Sequence, residues 1–248
     1  MKKEEHSEHR AVMLRDGSLA RQRSDVRQAE NAEYVHMDYF HIFWIFVVVS
    51  IAGLYIETIV SWPIDGVWKN RAGLVWGPFS PIYGAGAVLM TVALHSLQKS
   101  NPFVVFCAAA FVGAAFEFTA GWFFQTAFGI VAWDYSDQPF NLAGHTCLGI
   151  AFVWGTVGLL WTKFLMPPVI RLIDRIPQNW RKPLTIIFTM YMAADVAATL
   201  VSFDCWYERA SGQPAANLLQ AAIGNVFSDS FMQERFQTMS VFTGLAQR

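Results

Sequence analysis

After residue 38 the chain almost stops carrying charge. Of its 37 charged residues, 15 fall among residues 1–38, leaving roughly 10% over the remainder against roughly 25% in an average soluble domain. In that remainder, apolar residues gather into long runs. Tyr39–Val60 is interrupted mainly by His41, Ser50 and Glu57, and Pro102–Phe124 carries Glu117 as its only charge. Leu142–Leu165 has His145 near its start and Lys163 near its end, while Leu184–Phe203 carries Asp195 near its middle. Each run reaches the ~20 residues a helix needs to cross ~30 Å of hydrocarbon. With no water to satisfy backbone groups there, these runs are predicted to be helical.

Ile82–Leu97 is shorter and follows Gly77-Pro78-Phe79-Ser80-Pro81. Two prolines that close do not both fit a regular helix. Two readings stand: irregular backbone over 75–81 sheltered by protein or a water-filled cavity, or an interfacial turn before a fifth span. The expected fold class is all-α, a polytopic transmembrane helix bundle of about five spans, one preceded by a Gly/Pro-broken segment. Residues 1–38 read as a polar tail, disordered or loosely helical, with no apolar signal core. Residues 39–203 read as the bundle and 204–248 as an extracytoplasmic tail. In that tail the spacing of Leu218, Leu219, Ala222, Ile223, Val226 and Phe227 predicts one amphipathic helix over Pro214–Met232, lying on the membrane or covering the bundle.

Basic residues choose the orientation. With the amino terminus in the cytoplasm, the inner flanks hold Arg21, Arg23, Arg27, Lys99, Lys163, Arg171, Arg175, Arg181 and Lys182, and the outer segments only Lys69, Arg71 and Arg209. Trp62, Trp68, Trp76, Trp122, Trp133 and Trp206 then fall near the outer boundary, as an aromatic belt does. At ~1.5 Å per residue, Glu57 and Glu117 lie in the outer half. The outer loops add Asn70, Arg71, Asp134, Tyr135 and Asn141, with His145 just inside the fourth span.

Ionisable side chains within a span cost ~2.5–3.5 kcal/mol at its centre, so they turn inward and pair. Arg71 is the natural cation for Glu57 or Glu117. The cluster is either a buried ion pair fixing helix register or a polar pocket open to the outer side. Asp195, near the midplane, either relays protons or binds a cation, or is hydrogen-bonded to a Ser, Thr or Trp of a neighbouring helix. Asp134 suits a turn, and His145 a capping or hydrogen-bonding role. Cys107, Cys147 and Cys205 lack metal-ligand spacing, so neither a metal nor a disulfide framework is expected. The net charge of −1 gives no case for nucleic-acid binding. The chain contains no phosphate-binding loop, dinucleotide fingerprint, zinc-protease helix or serine-nucleophile elbow, and no cofactor is predicted.

Two blocks carry a family resemblance. Glu57-Thr58-Ile59, Asn70-Arg71-Ala72-Gly73-Leu74 and Gly77-Pro78-Phe79-Ser80-Pro81-Ile82-Tyr83-Gly84 form the first. Glu117-Phe118-Thr119, Trp133-Asp134-Tyr135-Ser136, Pro139-Phe140-Asn141-Leu142, Gly144 and Trp154-Gly155 form the second. In this order, over about residues 40–160, they resemble the CmpB-like, type IV family of ABC transporter permeases. The sequence departs from that pattern at His145, where the pattern has an arginine. The resemblance implies a multi-pass protein of a bacterial cytoplasmic membrane, with lipids, a separate ATPase subunit and further copies of the chain as expected partners. No E-A-A…G coupling loop is evident, and Lys163–Lys182 reads as a basic connector. The first-ranked function is a permease component with a polar outer-side pocket. A non-catalytic structural or regulatory subunit comes second, and a membrane enzyme acting on a lipid-linked group third.

Overall fold

The computed structural model describes residues 37–215 and 217–241, except the side chain of Asp65. The expected cytoplasmic tail, apart from Met37 and Asp38, lies outside the described residues. The chain from Tyr39 onward forms one compact unit. Among the described residues it is all-α but for one two-residue strand pair and an isolated bridge.

Helix α1 runs Tyr39–Asp65 and stops at Gly66, which takes a left-handed φ of 70° and returns its N–H to the Trp62 carbonyl. Irregular backbone then leads to α2, Pro81–Ala93, which begins with proline where no intrahelical donor is needed. A 3₁₀ turn at His95–Leu97 follows. Helix α3, Pro102–Phe128, starts under Asn101, whose side chain accepts the Phe103 N–H. Helix α4, Leu148–Leu160, continues through a π turn at Trp161–Leu165 into α5, Met166–Ile173. The π turn leads into Pro167 and Pro168, which lack backbone donors, so the rod continues past them. Helix α6 is Gln178–Ala210. Two short helices follow, α7 Leu218–Val226 and α8 Asp229–Arg235, and strand β2, Ser240–Val241, pairs antiparallel with β1, Ile130–Val131.

Four helical rods of 26 to 33 residues are long and apolar enough to cross a membrane, while α2 is a shorter apolar helix. About five spans, one behind a Gly/Pro-broken segment, describes this bundle. Apolar side chains such as Phe111 (77% exposed) and Phe103 point outward, as expected of helices whose solvent is lipid. Glycines bring the helices together: Gly113 and Gly155 meet Trp154 and Phe106, and Gly158 meets Ala109.

Four expectations need correction. The fourth rod starts at Leu148, because Leu142–Thr146 folds back on itself in a bridge, so His145 lies in a loop before the span. Lys163–Lys182 is mostly helix, with only residues 174–177 as connector. Among its described residues the tail holds two helices instead of one, because Ser228 caps a new start by accepting the Phe231 N–H. Trp206 is buried with Val75, Ile130, Phe203, Phe227, Met232 and Phe236, where its ring completes a core.

Lys163 donates to the carbonyls of Gln98 (2.5 Å) and Ser100 (3.1 Å), while Asp174 meets His41 (3.3 Å) and Arg181 (2.9 Å). The α2–α3 and α5–α6 connections and the start of α1 therefore share one end of the bundle. The opposite end gathers the broken segment, the loop after α3 and the tail.

Candidate functional site

Glu57 lies in the last third of α1. Its Oε1 accepts from Arg71 Nη1 at 2.7 Å, an ion pair in which Arg71 is the more buried partner. Tyr83, in the first turn of α2, lies close to Glu57. Arg71 is placed by its neighbour: Asn70 Oδ1 accepts the Ala72 N–H at 3.0 Å, closing a turn that aims the loop at α1.

Glu117 does not share that arginine. It is 7% exposed on α3, and both oxygens accept from neutral donors, Oε1 from the Tyr135 hydroxyl (2.8 Å) and Oε2 from Trp154 Nε1 (2.7 Å). Trp154 is held between Gly86 of α2 and Gly113 of α3, where a methyl group on either would run into the indole. Tyr135 stands between the two carboxylates: it bonds Glu117 and lies within electrostatic range of Glu57 and Tyr83. Burial, reinforced by Glu117, pushes its hydroxyl well above the ordinary phenol range. Each carboxylate thus has its own partners, Arg71 for Glu57 and Tyr135 with Trp154 for Glu117, and the charge of Glu57 is felt at Tyr135.

The loop carrying Tyr135 is built rigidly. Asp134 accepts the Ser136 N–H (2.9 Å) and hydroxyl (2.5 Å), which hold its exposed carboxyl below the usual range. Asn141 donates to the carbonyls of Ser136 and Gln138 and accepts the Gly144 N–H. Phe140 (φ 55°) and Ala143 (φ 51°) are left-handed, at a cost on the order of 1 kcal/mol each. His145 sets its ring edge against Phe118, and its carbonyl accepts from Trp133 Nε1 (2.8 Å). Asp134 and Asn141 therefore shape the loop, and Tyr135 alone of that trio reaches the carboxylates.

Asp195 is fully buried and stands apart. Its Oδ1 accepts the backbone N–H of Trp76 (3.1 Å), which ties it to the irregular segment. Thr199, one turn on, accepts the Val75 N–H (3.0 Å). Backbone that has no helix to satisfy it is thus satisfied by α6. Among the described residues no group of three or more His, Cys, Asp or Glu could hold a metal ion.

The pattern of a protein family described as "Putative ABC-transporter type IV" matches residues 44–200. The chain belongs to that family. The family's stretch holds every candidate residue named above and ends within α6, before α7, α8 and β2. No curated protein and no solved structure matches the chain. Tyr83 and Trp154 were not among the residues expected to bind, although both stand inside the two sequence blocks. Neither carries a formal charge, and neither stands in a loop beside charged residues as Asn70, Tyr135 and Asn141 do.

Proposed function

We propose that the protein is the membrane-embedded permease component of a transport system, and that Glu57, Arg71, Glu117 and Tyr135 line its polar site. Asn70, Asp134, Asn141 and His145 shape the loops of that site, and Asp195 lies beyond it. The site is taken to face outward, with the amino terminus in the cytoplasm and the chain in the cytoplasmic membrane. The distribution of lysine and arginine supports that orientation. One observation carries the reading: two carboxylates on separate spans meet donors from three further stretches of chain, Arg71, Tyr135 and Trp154, at one end of a largely apolar bundle. Family membership makes a separate ATPase the natural energy source, since the chain has no nucleotide-binding signature.

A second reading is favoured by a specific observation. Both oxygens of Glu117 already hold donors from the chain itself, the arrangement of a group that stabilises a non-catalytic subunit. The test uses cells expressing the full chain or Glu117→Gln, assayed for uptake across a panel of radiolabelled solutes, with affinity purification to recover an ATPase. Transport predicts a solute whose uptake needs the chain and is lost in a folded Glu117→Gln protein. Equal uptake by both proteins would refute the transport reading. A variant that is merely less stable, with uptake per folded molecule unchanged, supports the subunit.

A further inference from the structure

The carboxyl-terminal segment reaches back across the end of the bundle that holds the polar site. Arg235, the last residue of α8, donates through Nε to the Leu74 carbonyl (2.8 Å) and through Nη2 to the Gly77 carbonyl. Two residues on, Gln237 Oε1 accepts the Asn70 N–H (2.7 Å). Ser240–Val241 then pairs with Ile130–Val131, directly after α3. Phe227, Met232 and Phe236 pack with Val75 between these bonds. At its near end, Arg209 of α6 binds Asp229 (2.6 Å) and the Phe227 carbonyl (3.0 Å).

The irregular backbone is thereby gripped from two sides. The N–H groups of Val75 and Trp76 go to Thr199 and Asp195 on α6, and the carbonyls of Leu74 and Gly77 go to Arg235. In a trans peptide the two groups point opposite ways, so at Leu74–Val75 Arg235 and α6 hold opposite faces of the chain. The grip matters because the same loop carries Arg71 to Glu57. Arg235 itself is half-buried, and that burial lowers its pKa, so its hydrogen bonds to carbonyls replace lost water. All of these tail residues lie outside the stretch matched by the family, yet they hold a segment inside it.

We propose that residues 227–241 are a latch: docked, they hold the loop 70–77 and Arg71 over the polar site, and their release, with Arg235 leaving its two carbonyls, is the step that opens that end of the bundle. The opening role rests on the polar site being the transport site; the latch itself does not. The experiment is amide hydrogen exchange on the full chain in lipid nanodiscs, comparing the native protein with Arg235→Ala and with the milder Gln237→Ala, whose side chain is exposed. Losing a hydrogen bond to a charged donor should speed exchange about tenfold or more. In Arg235→Ala this is expected at residues 73–77 and, together with them, in α8 and β2, while the middles of α1 and α3 keep their native rates. Gln237→Ala should act at Asn70 and Arg71 even if Arg235→Ala does not fold. Unchanged exchange over 70–77 in the folded variants would overturn the latch, as would acceleration spread evenly over all spans. The polar-site reading fails separately, through uptake by Glu117→Gln.

Discussion

Replacing Tyr135 with phenylalanine removes one oxygen and leaves the ring. In the native protein that oxygen donates to Glu117 at 2.8 Å, while Trp154 holds the other carboxylate oxygen at 2.7 Å. Glu117 is 7% exposed, so little water reaches the stranded oxygen. Leaving a buried acceptor without its donor costs about 1–3 kcal/mol. The cost is measurable by equilibrium unfolding in mixed micelles with rising SDS, followed by circular dichroism. A double-mutant cycle sharpens it. Glu117→Gln offers one acceptor oxygen to two donors, so Tyr135→Phe should cost less in that background, with a coupling energy of about 1 kcal/mol. An equal cost in both backgrounds would show that the hydroxyl acts elsewhere. A neutral Tyr135→Phe in the native chain would refute the reasoning outright.

Gly113→Val should destabilise the bundle by about 1–3 kcal/mol, since the new side chain meets the Cβ and Cγ of Trp154, the atoms of that side chain least free to move. Gly149→Ala, whose nearest neighbour in that sense is Cys147 Sγ at 3.8 Å, should be neutral in the same unfolding assay. Asp134 is held below the usual carboxylate range by its bonds to Ser136. Its contribution to loop order is therefore full above the ordinary aspartate pKa of about 3.9 and falls away as pH drops through the lowered folded value. The protection of the Ser136 amide, its exchange rate set against the intrinsic rate at each pH, should fall on acidification in the native protein and stay constant in Asp134→Ala. For orientation, Gln138→Cys should react with a membrane-impermeant thiol reagent in intact cells and Ser100→Cys only after permeabilisation; the reverse pattern would invert the topology.

Much of the bundle could be read from the sequence because lipid imposes a simple rule: a run that crosses it is apolar and helical. Tyr39, Pro102 and the break at Gly77–Pro81 stood where that rule and proline stereochemistry put them. The misses came where apolar character stopped discriminating. Leu142–Cys147 is as apolar as a helix start, but left-handed Phe140, Ala143 and Gly144 turn it into a loop. Pro167 and Pro168 read as a connector because a π turn leaves no compositional trace. At the site, Glu57 with Arg71 was legible because opposite charges in lipid seek each other. Glu117 with Tyr135 and Trp154 was not, since neutral donors are common in the sequence and only the fold says which of them converge. Arg235 was invisible for a further reason: its partners are backbone carbonyls, which every residue possesses.

The two carboxylates have different partners because they sit at different depths. Glu57 is near the end of α1, where its carboxylate stays partly exposed and a loop can deliver a cation to it. Glu117 lies just past the middle of α3, walled by α2 and α4, where an arginine would have to carry its own charge into the bundle. Neutral donors from Trp154 and Tyr135 satisfy it without adding a second desolvated ion. The consequence is an asymmetry in what each can do. Arg71 lies on a loop held at Asn70 by Gln237 and at Leu74 and Gly77 by Arg235, while Glu57 stays on α1, so the pair can come apart when that loop moves. Glu117 is bound to the body of the bundle through α4 and to the rigid turn at Tyr135, so it stays. A site in which one carboxylate can lose its cation while the other keeps its donors has one movable wall and one fixed wall. In this chain the movable wall is the one the tail holds down.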